Sequence, residues 1–201
     1  MARELWLIRH GESTANAGAA SKDASSAPLT DTGWQQAHQI AATFERAPEL
    51  IVVSPYLRAR QTAAPTAERF AAVPIETWPV QEFTYLSPIR CANTTMEQRR
   101  PLVEAYWDLA DPERIDGPGA ESFTQMLERV RAAARHIEAL DLDRIVIFTH
   151  GHIMQAWRML AEHPEASDRS DMKRYFSAFL GCPIENGEWM SANAFARVAR
   201  S

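Results

Sequence analysis

The sequence predicts an α/β fold: a three-layer sandwich with a mostly parallel central sheet and helices on both faces. Three short runs rich in Ile, Val and Leu, at residues 4–8, 50–53 and 144–148, have the length and continuous apolar character of strands buried on both faces. Stretches of helical period separate them, and strands alternating with helices build a parallel sheet. At 201 residues with 46% hydrophobic content, the chain is sized for one globular domain over residues 1–201 with a sizeable core.

The elements follow in order. The strand at 4–8 runs into Arg9-His10-Gly11-Glu12. Trp34, Ala37, Ile40, Ala41 and Phe44 then share one helical face, with Thr30 or Asp31 as the cap. The strand at 50–53 leads past Pro55 into a helix over 57–70, and residues 75–80 form a weaker strand. Residues 83–120 are irregular, with a helix near 96–109 followed by Pro112, Gly117, Pro118 and Gly119. Such a stretch inside a compact domain reads as an inserted cap, or specificity segment, over one end of the sheet. Phe123, Met126, Leu127, Val130, Ile137 and Leu140 make the clearest amphipathic stripe. A strand at 144–148, a helix over 153–160 and a final strand at 194–198 complete the pattern; residues 161–193 are assigned no element.

Composition excludes some functions. A net charge of −5 offers no basic surplus for a nucleic-acid backbone or an anionic membrane. The apolar run near the N-terminus is too short for a secretory signal, and no stretch approaches the roughly 20 apolar residues of a membrane span. A cytoplasmic protein is expected. Cys91 and Cys182 form no CxxC pair and read as two reduced, mostly buried thiols.

The chemistry gathers where the strands end. The first ends in Arg9-His10-Gly11-Glu12, the second in Ser54-Pro55-Tyr56-Leu57-Arg58, the third in Thr149-His150-Gly151-His152. Open parallel sheets bind ligands at the carboxyl ends of their strands, so two histidines and two arginines converge on one edge. Arginine forks match phosphate oxygens, helix N-termini add donors, and histidine is an accepted covalent nucleophile. Phosphoryl transfer is mainly positioning and charge stabilisation, which this set supplies.

These residues, with their neighbours, resemble the histidine phosphatase superfamily, the phosphoglycerate-mutase-like proteins. Leu7-Ile8-Arg9-His10-Gly11-Glu12-Ser13 is similar to its RHG motif. Asn16, Pro28-Leu29-Thr30, Gly33, Gln36, Ala37, the run from Ser54 to Ala63, Gly119-Ala120-Glu121-Ser122 and Thr149-His150-Gly151 follow in the family's order. The resemblance implies that His10 becomes phosphorylated and that Arg9, Arg58 and His150 bind the phosphoryl group. It implies secondary contacts from Asn16 and the Gly151 backbone, and a proton for the leaving oxygen from Glu82. Phe83-Thr84-Tyr85-Leu86 departs from the Gly-x-x-Glu-Gly pattern that often follows that carboxylate, so Glu12 and Glu121 stand as alternative acids.

The expected activity is therefore hydrolysis of a phosphomonoester through phosphohistidine, with no metal and no cofactor. Substrates range from small sugar or nucleotide phosphates to phosphorylated protein side chains. Three alternatives stand beside it: a phosphoglycerate-mutase-type phosphotransferase, a metallohydrolase using His150-Gly151-His152, and a non-catalytic phospho-ligand binder. Other prominent residues have plainer expectations. His38, His136 and His163 are surface residues, Arg60 a rim charge, and His152 a structural or rim residue. Arg129, Arg131 and Arg135 form a solvated helix face, and Trp34 and Trp157 are core. Trp107, Phe83, Tyr85 and Met96 either line the leaving-group side of the pocket or pack the insertion.

Overall fold

A computed structural model of the chain describes residues 3–20 and 22–192. One five-stranded sheet has the order β3-β2-β4-β1-β5. β1 (Glu4–Arg9), β2 (Leu50–Val53), β3 (Ile75–Thr77) and β4 (Arg144–Thr149) run parallel. β5 (Trp189–Ser191) pairs antiparallel with β1. The strand expected at 194–198 lies outside the described residues. The weak run at 75–80 shortens to three residues at the sheet edge, all exposed.

Seven helices pack around the sheet: α1 (Asp31–Thr43), α2 (Leu57–Arg69), α3 (Pro88–Cys91), α4 (Met96–Leu109), α5 (Phe123–Ala139), α6 (Gly151–Glu162) and α7 (Arg169–Gly181). Alternate strand residues face opposite layers, as the two-residue period of a strand requires. Ile8, Ile51, Val53, Val146 and Phe148 pack with Ile40, Ala59 and Ala63 of α1 and α2. Leu5, Leu7, Leu50, Val52, Ile145 and Ile147 join Met126, Leu127, Val130, Met154, Trp157 and Tyr175 on the other face. Each fully buried Leu or Ile contributes about 1.5–3 kcal/mol. A one-residue slip would exchange the two sets, so both cores fix the register that aligns the strand ends.

The expected helix starts are capped as their sequences indicate. Thr30 accepts from the Gly33 N–H, and Ser122 with Gln125 forms a capping box on α5. Like α3 and β5, α7 falls where the sequence pattern assigns no element. Its signal is present, in a capping box between Asp168 and Asp171 and an apolar face that includes Met172, Tyr175 and Phe176. α7 is the platform for the insertion, because Trp107 of α4 stacks on Phe176 at 4.3 Å and 4°. The insertion closes through Asp116, which accepts from the Ser87 N–H at 3.0 Å and pairs with Arg90 and Arg114.

Some plainer expectations change. Trp157 is core, but Trp34 is only half-buried beside the solvent-facing His38. Of the three arginines on α5, only Arg135 is exposed. Arg129 pairs with Glu121 and donates to the Pro79 and Gln81 carbonyls, while Arg131 donates to those of Pro164 and Ala166. Both therefore clamp loops that the helical pattern alone leaves out. Cys91 is half-buried and Cys182 exposed, both as free thiols. Among the described residues, no helix is long and apolar enough to cross a membrane.

Candidate active site

The carboxyl end of β1 and the loop after it, the N-terminal turn of α2 and the insertion enclose a cavity of about 240 Å³. Arg9, His10, Asn16, Tyr56, Arg58 and Glu82 are among the residues on its wall. The turn carrying His10 is held against α1 at backbone distance. A Cβ on Gly33 would lie 2.1 Å from the Glu12 carbonyl oxygen, and one on Gly11 would lie 2.6 Å from that of Gly33. Glycine is required at both positions by this approach. The Gly11 N–H donates to Thr62 Oγ1 at 3.0 Å, and that hydroxyl donates to the Arg58 carbonyl at 2.7 Å. One threonine of α2 thus joins the two functional segments.

His10 is buried, and its Nδ1 lies 2.7 Å from the Gly11 carbonyl oxygen. A carbonyl only accepts, so Nδ1 carries the proton and Nε2 keeps its lone pair. That lone pair accepts from Arg58 Nε at 2.9 Å. Burial pushes the His10 pKa well below the ordinary histidine range, and the Arg58 and Arg9 charges push the same way against the Gly11 carbonyl. The ring is neutral near pH 7, the form in which an imidazole nitrogen can act as a nucleophile.

Arg58 is also buried, and each of its guanidinium nitrogens is engaged. Nε meets His10, Nη1 donates to the Ala24 carbonyl, and Nη2 donates to His150 Nδ1 at 3.1 Å. The Tyr56 ring lies 5.0 Å from the guanidinium carbon. Arg9 donates through Nη1 to the Ile184 carbonyl, while its buried Nε has no hydrogen-bond partner. Gly151 packs against that guanidinium, since a Cβ there would sit 3.4 Å from Arg9 Nε. Burial lowers the pKa of both arginines, and Glu82 is the foremost charge opposing the shift in each case.

His150 lies one layer deeper than the resemblance implies. It is fully buried and absent from the cavity wall, with its ring centroid 5.0 Å from that of His10. Because Nδ1 accepts from Arg58, Nε2 carries the proton and donates to Ser54 Oγ at 2.7 Å. Burial, then the Arg58 charge, holds its pKa well below the ordinary range. In this arrangement His150 touches the site through Arg58.

The three candidate acids separate. Glu82 lines the cavity, and its Oε1 accepts the Phe83 N–H at 3.0 Å and the His152 N–H at 3.2 Å. The second bond places the carboxylate at the N-terminus of α6, where the helix dipole favours negative charge. Glu12 accepts from Thr30 Oγ1 at 2.7 Å and belongs to the cap of α1. Glu121 is tied up in its ion pair with Arg129. Asn16 lies on the wall with Oδ1 accepting from the Ser13 N–H and hydroxyl at 3.1 and 2.8 Å.

The histidine pair that the metallohydrolase alternative would use diverges. His152 Nδ1 lies 2.7 Å from the Tyr175 hydroxyl, inside an aromatic stack with Phe179 and Trp107, while His150 faces Ser54 and Arg58. Among the described residues, no three His, Cys, Asp or Glu side chains gather as a ligand set. Phe83, Tyr85 and Met96 line the cavity, whereas buried Trp107 packs the insertion. Sequence reasoning gave no role to Ser54 or Thr62 beyond the resemblance, and none to Asn186. Asn186 Nδ2 donates to the His10 carbonyl at 3.0 Å. No local signal marks Asn186, since its partner lies 176 residues away.

Comparison with known proteins agrees with this geometry. Residues 5–178 match the histidine phosphatase superfamily (branch 1). A metal-independent phosphoserine phosphatase of Arabidopsis thaliana is 26% identical over 158 residues, spanning 76% of this chain and 66% of that protein. An adenosylcobalamin/alpha-ribazole phosphatase of Salmonella typhimurium is 29% identical over 161 residues, 75% of each chain. Among solved structures, a mycobacterial glucosyl-3-phosphoglycerate phosphatase with VO3 superposes at a TM-score of 0.72 with 22% identity. That superposition covers 94% of this chain and 90% of the other, and it establishes a shared fold. Its motifs, its fold and the family match together place the chain in the histidine phosphatase superfamily, branch 1.

Proposed function

We propose that this phosphatase hydrolyses small phosphomonoesters through a covalent phosphohistidine on His10. The observation that carries the reading is the state of the His10 ring. Nδ1 is tied to the Gly11 carbonyl, and the Nε2 lone pair faces Arg58 in a cavity that Arg9 and Glu82 also line.

The steps follow from that placement. The substrate's phosphoryl oxygens take the Arg58 donors now spent on His10, together with the unpartnered Nε of Arg9. His10 Nε2 attacks phosphorus and forms the N–P bond as the ester P–O bond breaks. Glu82, the carboxyl on the cavity wall, is placed to give a proton to the departing oxygen. Water then attacks the phosphohistidine and yields its proton to the Glu82 carboxylate, releasing phosphate and regenerating neutral His10. Charge on the transferring group is carried by half-buried Arg9 and buried Arg58, both already held by hydrogen bonds, so little reorganisation accompanies the step. His150 and Ser54 hold Arg58 in place.

The test is hydrolysis of p-nitrophenyl phosphate with and without EDTA, by wild type and by His10→Ala. Base-quenched samples are digested and searched for phosphohistidine by mass spectrometry. The expected result is chelator-resistant release of inorganic phosphate, a labelled peptide containing His10, and no turnover in the variant. Turnover that survives His10→Ala, or that EDTA abolishes, would overturn the proposal.

A further inference from the structure

The cavity extends beyond the phosphoryl-binding end, and its outer wall is built by the insertion. Phe83, Tyr85, Leu86, Met96 and Val103 make that wall largely apolar. One cation, Arg99 of α4, stands among them. The other arginines of the insertion each have a carboxylate partner: Arg90 and Arg114 pair with Asp116, and Arg100 with Glu97. Arg99 has none among the described residues. Its Nη1 donates to the Thr94 carbonyl and hydroxyl at 3.2 and 3.4 Å, and these bonds fix the guanidinium. Among the described residues its Nε and Nη2 have no hydrogen-bond partner, which leaves one full edge of the fork free. That edge has the geometry for two parallel bonds to a carboxylate or phosphate.

Resting on the phosphatase reading above, we infer that Arg99 is a second anion-binding point. The preferred substrates are then phosphomonoesters whose leaving group is an apolar body ending in a carboxylate or a second phosphate. The phosphoryl group docks between Arg9 and Arg58, the body lies on the aromatic and aliphatic wall, and the distal anion reaches Arg99. Asp23 reinforces this orientation. It lines the cavity from the loop between β1 and α1, where Ser25 and Ser26 hold its carboxylate ionised with a pKa of about 2. A distal anion is repelled from that side and attracted to α4.

Binding separates this inference from catalysis. Wild-type protein is titrated calorimetrically with non-hydrolysable phenylphosphonate, 4-carboxyphenylphosphonate, 4-(carboxymethyl)phenylphosphonate and 1,4-phenylenediphosphonate. At least one dianchored probe is expected to bind about tenfold tighter than phenylphosphonate, the scale of a charge-assisted pair. The diphosphonate arm reports which anion is preferred. Arg99→Met removes the preference and Arg99→Lys keeps part of it, with Arg99→Gln as a second neutral variant should the methionine protein fold poorly. Equal affinity across the probes, or a preference that survives both neutral variants, would overturn the inference while leaving His10 chemistry standing. A preference without any phosphohistidine would do the reverse.

Discussion

Arg58 Nε lies 2.9 Å from His10 Nε2, so the guanidinium that would receive the phosphoryl oxygens also holds the lone pair of the proposed nucleophile in the free protein. The contact keeps the ring oriented and unprotonated until substrate replaces it. The same side chain reaches His150 and the Ala24 carbonyl, so it organises the site as well as supplying its charge.

Arg58→Lys is expected to lower kcat/KM for p-nitrophenyl phosphate by about 100-fold or more. A lysine keeps the charge but cannot serve three partners in one plane. Steady-state kinetics check this, and a loss under about threefold would mean that the fork geometry does not matter.

Glu82→Gln should divide substrates by leaving group. p-Nitrophenolate departs without a proton, so its release should fall by less than about tenfold. An alkyl phosphate such as glycerol phosphate should lose on the order of 100-fold, the usual worth of a positioned acid. Equal losses for both esters would take the role away from Glu82.

Ser54→Ala leaves the buried Nε2–H of His150 without its acceptor. A stability loss of about 1–3 kcal/mol is expected in urea unfolding. Turnover should fall with it, because His150 positions Arg58. An unchanged midpoint and slope would show that the hydroxyl carries no bond in solution.

Acidification should destabilise the fold well before its carboxylates titrate. His10, His150 and His152 are buried with pKa values lowered mainly by burial. Below the unfolded histidine value of about 6.5 the unfolded chain binds protons that the native state refuses, so stability falls as pH drops through that value. Each group contributes a slope of up to about 1.4 kcal/mol per pH unit, and no histidine contribution remains above about pH 7.5. Urea titrations between pH 8 and 5 measure the slope. His152→Phe should flatten it by one group, and a level profile in the parent protein would contradict the buried neutral rings.

Gly33→Ala should cost about 3 kcal/mol or prevent folding, because the added methyl would lie 2.1 Å from the Glu12 carbonyl oxygen. Gly18→Ala is the control. It sits at positive φ but has open space around it, so its cost should stay near 1 kcal/mol. Thermal unfolding of the two variants compares them directly.

The sequence by itself determined the three central strands and the strand-end residues. Buried parallel strands are local apolar runs, and the residue following each is fixed by chain order, so Arg9, His10, Arg58 and His150 could be brought to one edge without coordinates. The helix at 96–109 and the stripe on α5 were legible for the same reason, as periodicity over a dozen residues. Only the tertiary structure separated the three carboxylates, because Glu12, Glu82 and Glu121 differ in their partners, Thr30, the His152 N–H and Arg129, and of the three Glu82 lines the cavity with His10. It also set His150 behind Arg58, turned His152 toward Tyr175, and left Arg99 as the unpaired cation of the insertion. Those outcomes depend on side chains that meet across long stretches of chain, where no local period or spacing carries a signal.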